Sequence, residues 1–167
     1  MVKKRRVFEQ GHRRKFLVVV DEVPEVEAAL FFAASRIGHT GGQILLLYVI
    51  EPQDYHQWMG VKQAHLEEEA NKAKALFRLN RMKLTQAGFT QIATDDVVRE
   101  GEKAEEIVKL IEEDEDIAIL VLGASTDAKG PGPLVSSLAA GKRAGTFPIP
   151  IVVVPGNLSL EDLKALA

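Results

Sequence analysis

Cysteine is missing altogether from this 167-residue chain. Its absence excludes a disulfide framework, a thiolate nucleophile and a cysteine metal site, and it suits a reducing cytoplasm. Charge of one sign is missing too: 21 Lys and Arg stand against 24 Asp and Glu, a net charge of −3. That balance leaves no electrostatic footprint for nucleic acid. No apolar run is long enough to span a membrane, and the basic start Met1 to Arg6 leads into polar residues, not into the apolar stretch of a signal peptide. Tyr and Trp are scarce, at two and one. The single Trp shares the irregular segment 53–61 with Tyr55, a segment that reads as a core flap ahead of a pocket wall. What remains, 46% hydrophobic and 27% charged residues, is the composition of one globular, cytoplasmic domain.

Short apolar runs alternate with amphipathic stretches along most of the chain. Phe16 to Val20, Ile44 to Ile50 and Ile117 to Leu122 are almost unbroken runs of apolar residues, which read as strands buried on both faces. Ile92 to Arg99 is more polar and alternates in part, as an edge strand does. Ile149 to Val154, with Pro150 near its start, is a fifth strand. Between these runs the apolar spacing predicts helices over about 25–37, 62–87, 103–113 and 134–142. Pro24 suits the first turn of a helix, with Asp21 or Glu22 at or near the cap. The order β-α-β-α-β-α-β-α-β predicts a single α/β domain over residues 15–156, with a doubly wound parallel sheet. Residues 1–14, carrying Lys3, Lys4, Arg5, Arg6, Arg13 and Arg14, read as a flexible basic tail, and 157–167 as a C-terminal tail with a last helical turn capped by Ser159. The acidic run Glu112 to Asp116 reads as a solvated turn. His12, His39, His56 and His65 lack the paired spacing of metal ligands, so no metal site is expected.

The fourth strand ends at Gly123 and passes through Ala-Ser-Thr-Asp-Ala-Lys-Gly-Pro-Gly-Pro to a helix-compatible segment near Leu134. Strand, glycine-rich loop and helix in that order make an anion cradle: glycines let the backbone approach a ligand, and a helix start offers unpaired N–H groups. In doubly wound sheets ligands lie at the carboxyl ends of strands, where the winding reverses. Asp21 and Gly123, each at the end of a strand, are therefore expected to share one crevice. The sequence has no P-loop, no Gly-x-Gly-x-x-Gly after the first strand and no Gly-x-Ser-x-Gly elbow, which argues against a P-loop nucleotidase, a dinucleotide binder and a serine hydrolase.

Four blocks carry a resemblance: Phe16-Leu-Val-Val-Val-Asp21, Leu46-Leu-Tyr-Val-Ile-Glu51, Val98-Arg-Glu-Gly-Glu-Lys-Ala-Glu-Glu-Ile107 and Ala118-Ile-Leu-Val-Leu-Gly123. In their order and spacing they resemble the universal stress protein (UspA-like) family, over about residues 15–156. The resemblance implies an adenine nucleotide alpha hydrolase-like fold with strand order 3-2-1-4-5. It also implies a homodimer formed through the last strand, Ile149 to Val154, and a stress-response role. Some family members bind ATP and others do not. In those that do, the nucleotide lies beside positions matched here by Asp21 and Val49, and on a loop of pattern Gly-x-x-Gly-x9-Gly-Ser/Thr. Gly123 matches the first glycine, Thr126 and Ser136 fall where the second and third belong, and Ser137 matches the Ser/Thr. With Ala124, Gly130 and Gly132 these residues make the expected nucleotide site, with ATP or another adenine nucleotide and Mg2+ as ligands. Any ATP turnover would be slow, since no general base or arginine finger is visible. The alternative is a dimeric stress protein that binds no nucleotide and acts through protein contacts, which the replacement of two glycines favours.

Overall fold

A computed structural model describes residues 3–53 and 59–167. The Tyr55 and Trp58 part of the expected flap lies outside the described residues. Five parallel strands, β1 (Lys15–Val19), β2 (Gln43–Ile50), β3 (Thr94–Glu100), β4 (Ile117–Ala124) and β5 (Ile151–Pro155), form one sheet in the order β3-β2-β1-β4-β5. Helices α1 (Val26–Thr40), α2 (Met59–Gln86), α3 (Lys103–Glu113) and α4 (Leu160–Leu166) complete the fold.

The unbroken apolar runs of β1 and β2 follow from burial on both faces. Phe16, Val18, Ile44, Leu46 and Tyr48 point into a core shared with α1 and α2. The residues between them, Leu17, Val19, Leu45, Leu47 and Val49, point into a second core under α3. Each such side chain contributes roughly 1.5–3 kcal/mol through its burial, so a one-residue slip of register would exchange two packed faces at once. β3 has one β neighbour only, and its Asp95, Asp96 and Val98 are exposed. β5 is the other edge, and Pro150 stands just ahead of it, its carbonyl accepting from the Leu120 N–H at 3.1 Å.

Two local expectations change. Helix α1 begins at Val26, with Glu25 as its N-cap and no side-chain cap bond. Asp21 and Glu22 therefore lie ahead of the helix, not on its cap, because Val23 to Glu25 form a turn first. The helix expected over 134–142 is a five-residue π-helical turn, Val135–Ala139, followed by a 3-10 turn at Ala144–Thr146. Gly141 and Gly145 lie within that stretch and weaken a regular helix. At the C-terminal end Ser159 does cap α4, in a reciprocal bond pair with Asp162.

The basic N-terminal segment and the acidic run before β4 meet. Arg5 Nη1 donates to the carbonyls of Ile111 (2.8 Å), Asp114 (3.0 Å) and Ile117 (3.1 Å). The Arg6 guanidinium lies 3.4 Å from Glu115, His12 Nδ1 2.7 Å from Asp116, and Lys15 Nζ 2.6 Å from Asp114. Arg5 thus holds the Ile111 carbonyl in the last turn of α3, where a cation also complements the helix dipole, together with the Asp114 and Ile117 carbonyls that follow.

Candidate functional site

β1 ends against β4, and α1 starts over the gap between them. Asp21 leaves β1 with its carboxylate turned into this gap. The Glu22 N–H donates to its Oδ1 (2.8 Å), and Lys103 Nζ donates to its Oδ2 (3.2 Å). Lys103 opens α3 and also stands 3.6 Å from Glu51, just past β2. One ammonium therefore ties together the carboxyl ends of β1 and β2. Glu102 fixes that lysine, since its carboxylate caps α3 by accepting from the N–H groups of Ala104 and Glu105.

Two hollows adjoin this pair, and a third lies beyond the first. The first, about 120 Å³, is bounded by Asp21, Lys103, Leu122, Gly123 and Gly132 to Val135. A second, about 390 Å³, lies on the other side of Asp21 and Lys103, among Tyr48, Val49, Glu51, Glu69 and Lys72. The third, about 400 Å³, lies outside the loop between Glu25, Asp127, Lys129, Gly130 and Ser136. A larger hollow, about 580 Å³, lies elsewhere, between α2 and the β3 edge, and shares no residue with these three. It lies at the sheet's edge and not at the carboxyl ends of the strands, where ligands of such sheets are held.

In the second hollow the Tyr48 hydroxyl donates to Glu69 at 2.9 Å. Burial pushes the phenol pKa up, and the Glu69 bond and charge push it further, so Tyr48 is a neutral donor at any physiological pH. Lys72 lies 3.5 Å from Glu69 and 3.8 Å from Glu22, and those charges, Glu69 first, raise its pKa and keep it cationic. The walls mix four carboxylates (Asp21, Glu22, Glu51, Glu69) with two ammonium groups (Lys72, Lys103). Among the described residues no group of three or more His, Asp or Glu could hold a metal ion.

The expected site residues separate. Asp21, Gly123 and Gly132 come together at the first hollow, Val49 lines the second, and Gly130, Gly132 and Ser136 line the third. Thr126 and Ser137 are exposed and line none of the three. Ala124 belongs to β4, where its carbonyl accepts from the Gly156 N–H at 2.9 Å. Gly123 owes its lack of a side chain to packing, because a Cβ there would run into the Glu25 carbonyl. Gly130 and Gly132 have φ of 129° and 106°, values that few side chains tolerate, so Gly-Pro-Gly-Pro fixes a loop shape of its own.

That loop offers few free donors. The N–H of Ser125 bonds to the Pro131 carbonyl (2.9 Å), and that of Gly130 to the Asp127 carbonyl (3.1 Å). The N–H of Asp127 bonds to Ser125 Oγ (3.1 Å), and that of Lys129 to Asp127 Oδ1 (2.9 Å). Pro131 and Pro133 have no N–H to give. Lys103, Glu25, Tyr48 and Glu69 also line these hollows and were not among the residues expected from the sequence. The first position of a helix after a Glu-Gly-Glu turn was the available signal for Lys103.

The sequence profile of the universal stress protein family matches residues 12–155. The chain belongs to the universal stress protein family. No curated protein sequence matches it. Among solved structures it is similar to UspA of Lactobacillus plantarum, at 19% identity over 84% of this chain and 97% of that one, with a TM-score of 0.63. It is also similar to the universal stress protein of Archaeoglobus fulgidus in complex with dAMP: 15% identity, 84% and 97% coverage, TM-score 0.59. A family protein of Arabidopsis thaliana with AMP bound gives 14% identity, 85% and 91% coverage, and a TM-score of 0.53. At such identities these likenesses establish the fold, the five-stranded parallel sheet of order 3-2-1-4-5 that the family resemblance implied.

Proposed function

We propose that this universal stress protein is a binding module for an adenine nucleotide, ATP or AMP, held at the carboxyl ends of β1 and β4. The observation that carries this reading is the joint lining of one hollow by Asp21 and Gly123, residues 102 positions apart in sequence (123 − 21). Relatives of the same fold are described with cAMP, dAMP and AMP, which supports an adenine ligand as the first to try. The 390 Å³ hollow falls in the range of about 300–1,000 Å³ common for small-molecule sites. It would take the base beside Val49 and Asp21, with the ribose toward Gly123. Mg2+ would arrive only with a polyphosphate, held by one or two carboxylates and the phosphates themselves. The β5 edge would form a homodimer.

Calorimetric titration with adenosine, AMP and Mg-ATP tests the reading. Binding of at least one of them, abolished by Asp21→Ala in a protein that still folds, is expected. No heat and no thermal shift with any of them at millimolar concentration would sink it. A second reading, a dimer acting through protein contacts alone, draws on the 120 Å³ hollow under the loop, which is below the size of ordinary ligand sites. An Asp21→Ala variant indistinguishable from the parent in every ligand titration would favour that reading.

A further inference from the structure

We infer that Glu25 sets the number of phosphates this site accepts: the crevice takes an adenine nucleoside or its monophosphate and rejects di- and triphosphates. The inference rests on the adenine reading above. Glu25 immediately precedes α1, and its main chain lies against Gly123. Glu25 lines both the hollow beneath the loop and the one outside it. It makes no cap bond to its own helix, and no ion pair engages it among the described residues.

The path a phosphate chain would follow runs from Gly123 past this carboxylate. The outer hollow is lined by two acidic residues, Glu25 and Asp127, and one basic residue, Lys129. Polyphosphates are held by backbone N–H groups and cations converging on their oxygens. Here the amides of Ser125, Asp127, Lys129 and Gly130 are engaged within the loop, and Pro131 and Pro133 supply none. A single 5′-phosphate would have Lys103 at the wall of the inner hollow as its cation, shared with Asp21 and Glu51. Further phosphates would bring negative charge to unpaired negative charge, which a binding site tolerates poorly.

The test is competitive equilibrium dialysis of adenosine, AMP and ATP, each with and without Mg2+, on the full chain and on Glu25→Gln and Asp127→Asn. Circular dichroism and thermal unfolding confirm that the variants fold. The parent should bind AMP at least about tenfold tighter than ATP, and Glu25→Gln should remove most of that gap, with adenosine as the reference ligand that carries no phosphate. Raising the salt should also narrow the gap in the parent, because the repulsion is screened. Equal affinity of the parent for AMP and ATP overturns the inference. So does an ATP affinity that rises with Mg2+ and falls in Glu25→Gln, since Glu25 would then be a metal ligand. If neither adenosine nor AMP binds the parent, the adenine reading itself has failed, a result distinct from the loss of discrimination alone.

Discussion

Glu106 on α3 lies 3.2 Å from the Arg99 guanidinium of the edge strand β3 and 3.2 Å from Lys109 Nζ. It is one of few charged side chains buried in this protein, at 7% exposure. Burial alone pushes its carboxyl pKa up, but the hydrogen bonds from Lys109 and Arg99 outweigh that and hold it below the ordinary value. Glu113, bonded to the same Arg99, is lowered for the same reason.

A carboxylate with a lower pKa in the folded state contributes stability that is complete above its unfolded value and lost as pH falls through the folded one. Urea midpoints should therefore be flat above about pH 5 and decline steadily toward pH 3. Glu106→Gln should lower the midpoint at pH 7 and give a shallower acid decline. Parallel curves for parent and variant would mean that Glu106 contributes no linkage.

Gly123→Ala places a methyl group against the Glu25 carbonyl, backbone against backbone, with no flexible side chain to yield. A loss of about 1–3 kcal/mol, as for overpacked cores, is expected from urea unfolding. Ligand titrations on the same variant separate the two roles of this glycine. If it serves packing first, stability falls even with no ligand in solution.

Arg5→Ala removes three hydrogen bonds to the carbonyls that end α3 and open β4. The expected cost is about 1–2 kcal/mol, and Arg5→Lys should recover only part of it, since an ammonium cannot also keep the bonds by which Nε and Nη2 hold the Lys3 carbonyl. Hydrogen exchange at Ile111 to Ile117 should speed up in Arg5→Ala. No change there would mean that the contacts are absent in solution.

Val153 sits exposed in the middle of the free edge strand β5, flanked by the partly covered Val152 and the buried Val154. If two copies join at this edge, Val153→Lys should shift sedimentation from dimer to monomer, as a charged residue blunts an edge. The parent sedimenting as a monomer at high concentration would refute the dimer.

The strands were readable because β1 and β2 are apolar after their opening Lys15 and Gln43, and a β3 with charges at Asp95 and Asp96 could only be an edge. The order of the strands was not written in any one strand; it came with the family blocks. The convergence of Asp21 and Gly123 on one hollow was readable because each stands at a strand end. Tyr48 and Glu69 meet across 21 positions, and Asp21 and Lys103 across 82, spacings that no local pattern reports. The end of the loop misled for a different reason. Leu134 to Lys142 is apolar at helical spacing, but the positive-φ glycines before it and Gly141 within it leave room for a π-helical turn only.

The clasp of Arg5 on the end of α3 lies at the amino ends of the strands, while Asp21 and Gly123 lie at the carboxyl ends. On β4 the clasp is at Ile117 and the crevice at Gly123, so about 20 Å of strand separates the two. The N-terminal segment is thus a handle on the back of the molecule. Protein tethered by it to a sensor surface would present its crevice to the flow, and a label carried there would report on neighbours without shading the ligand.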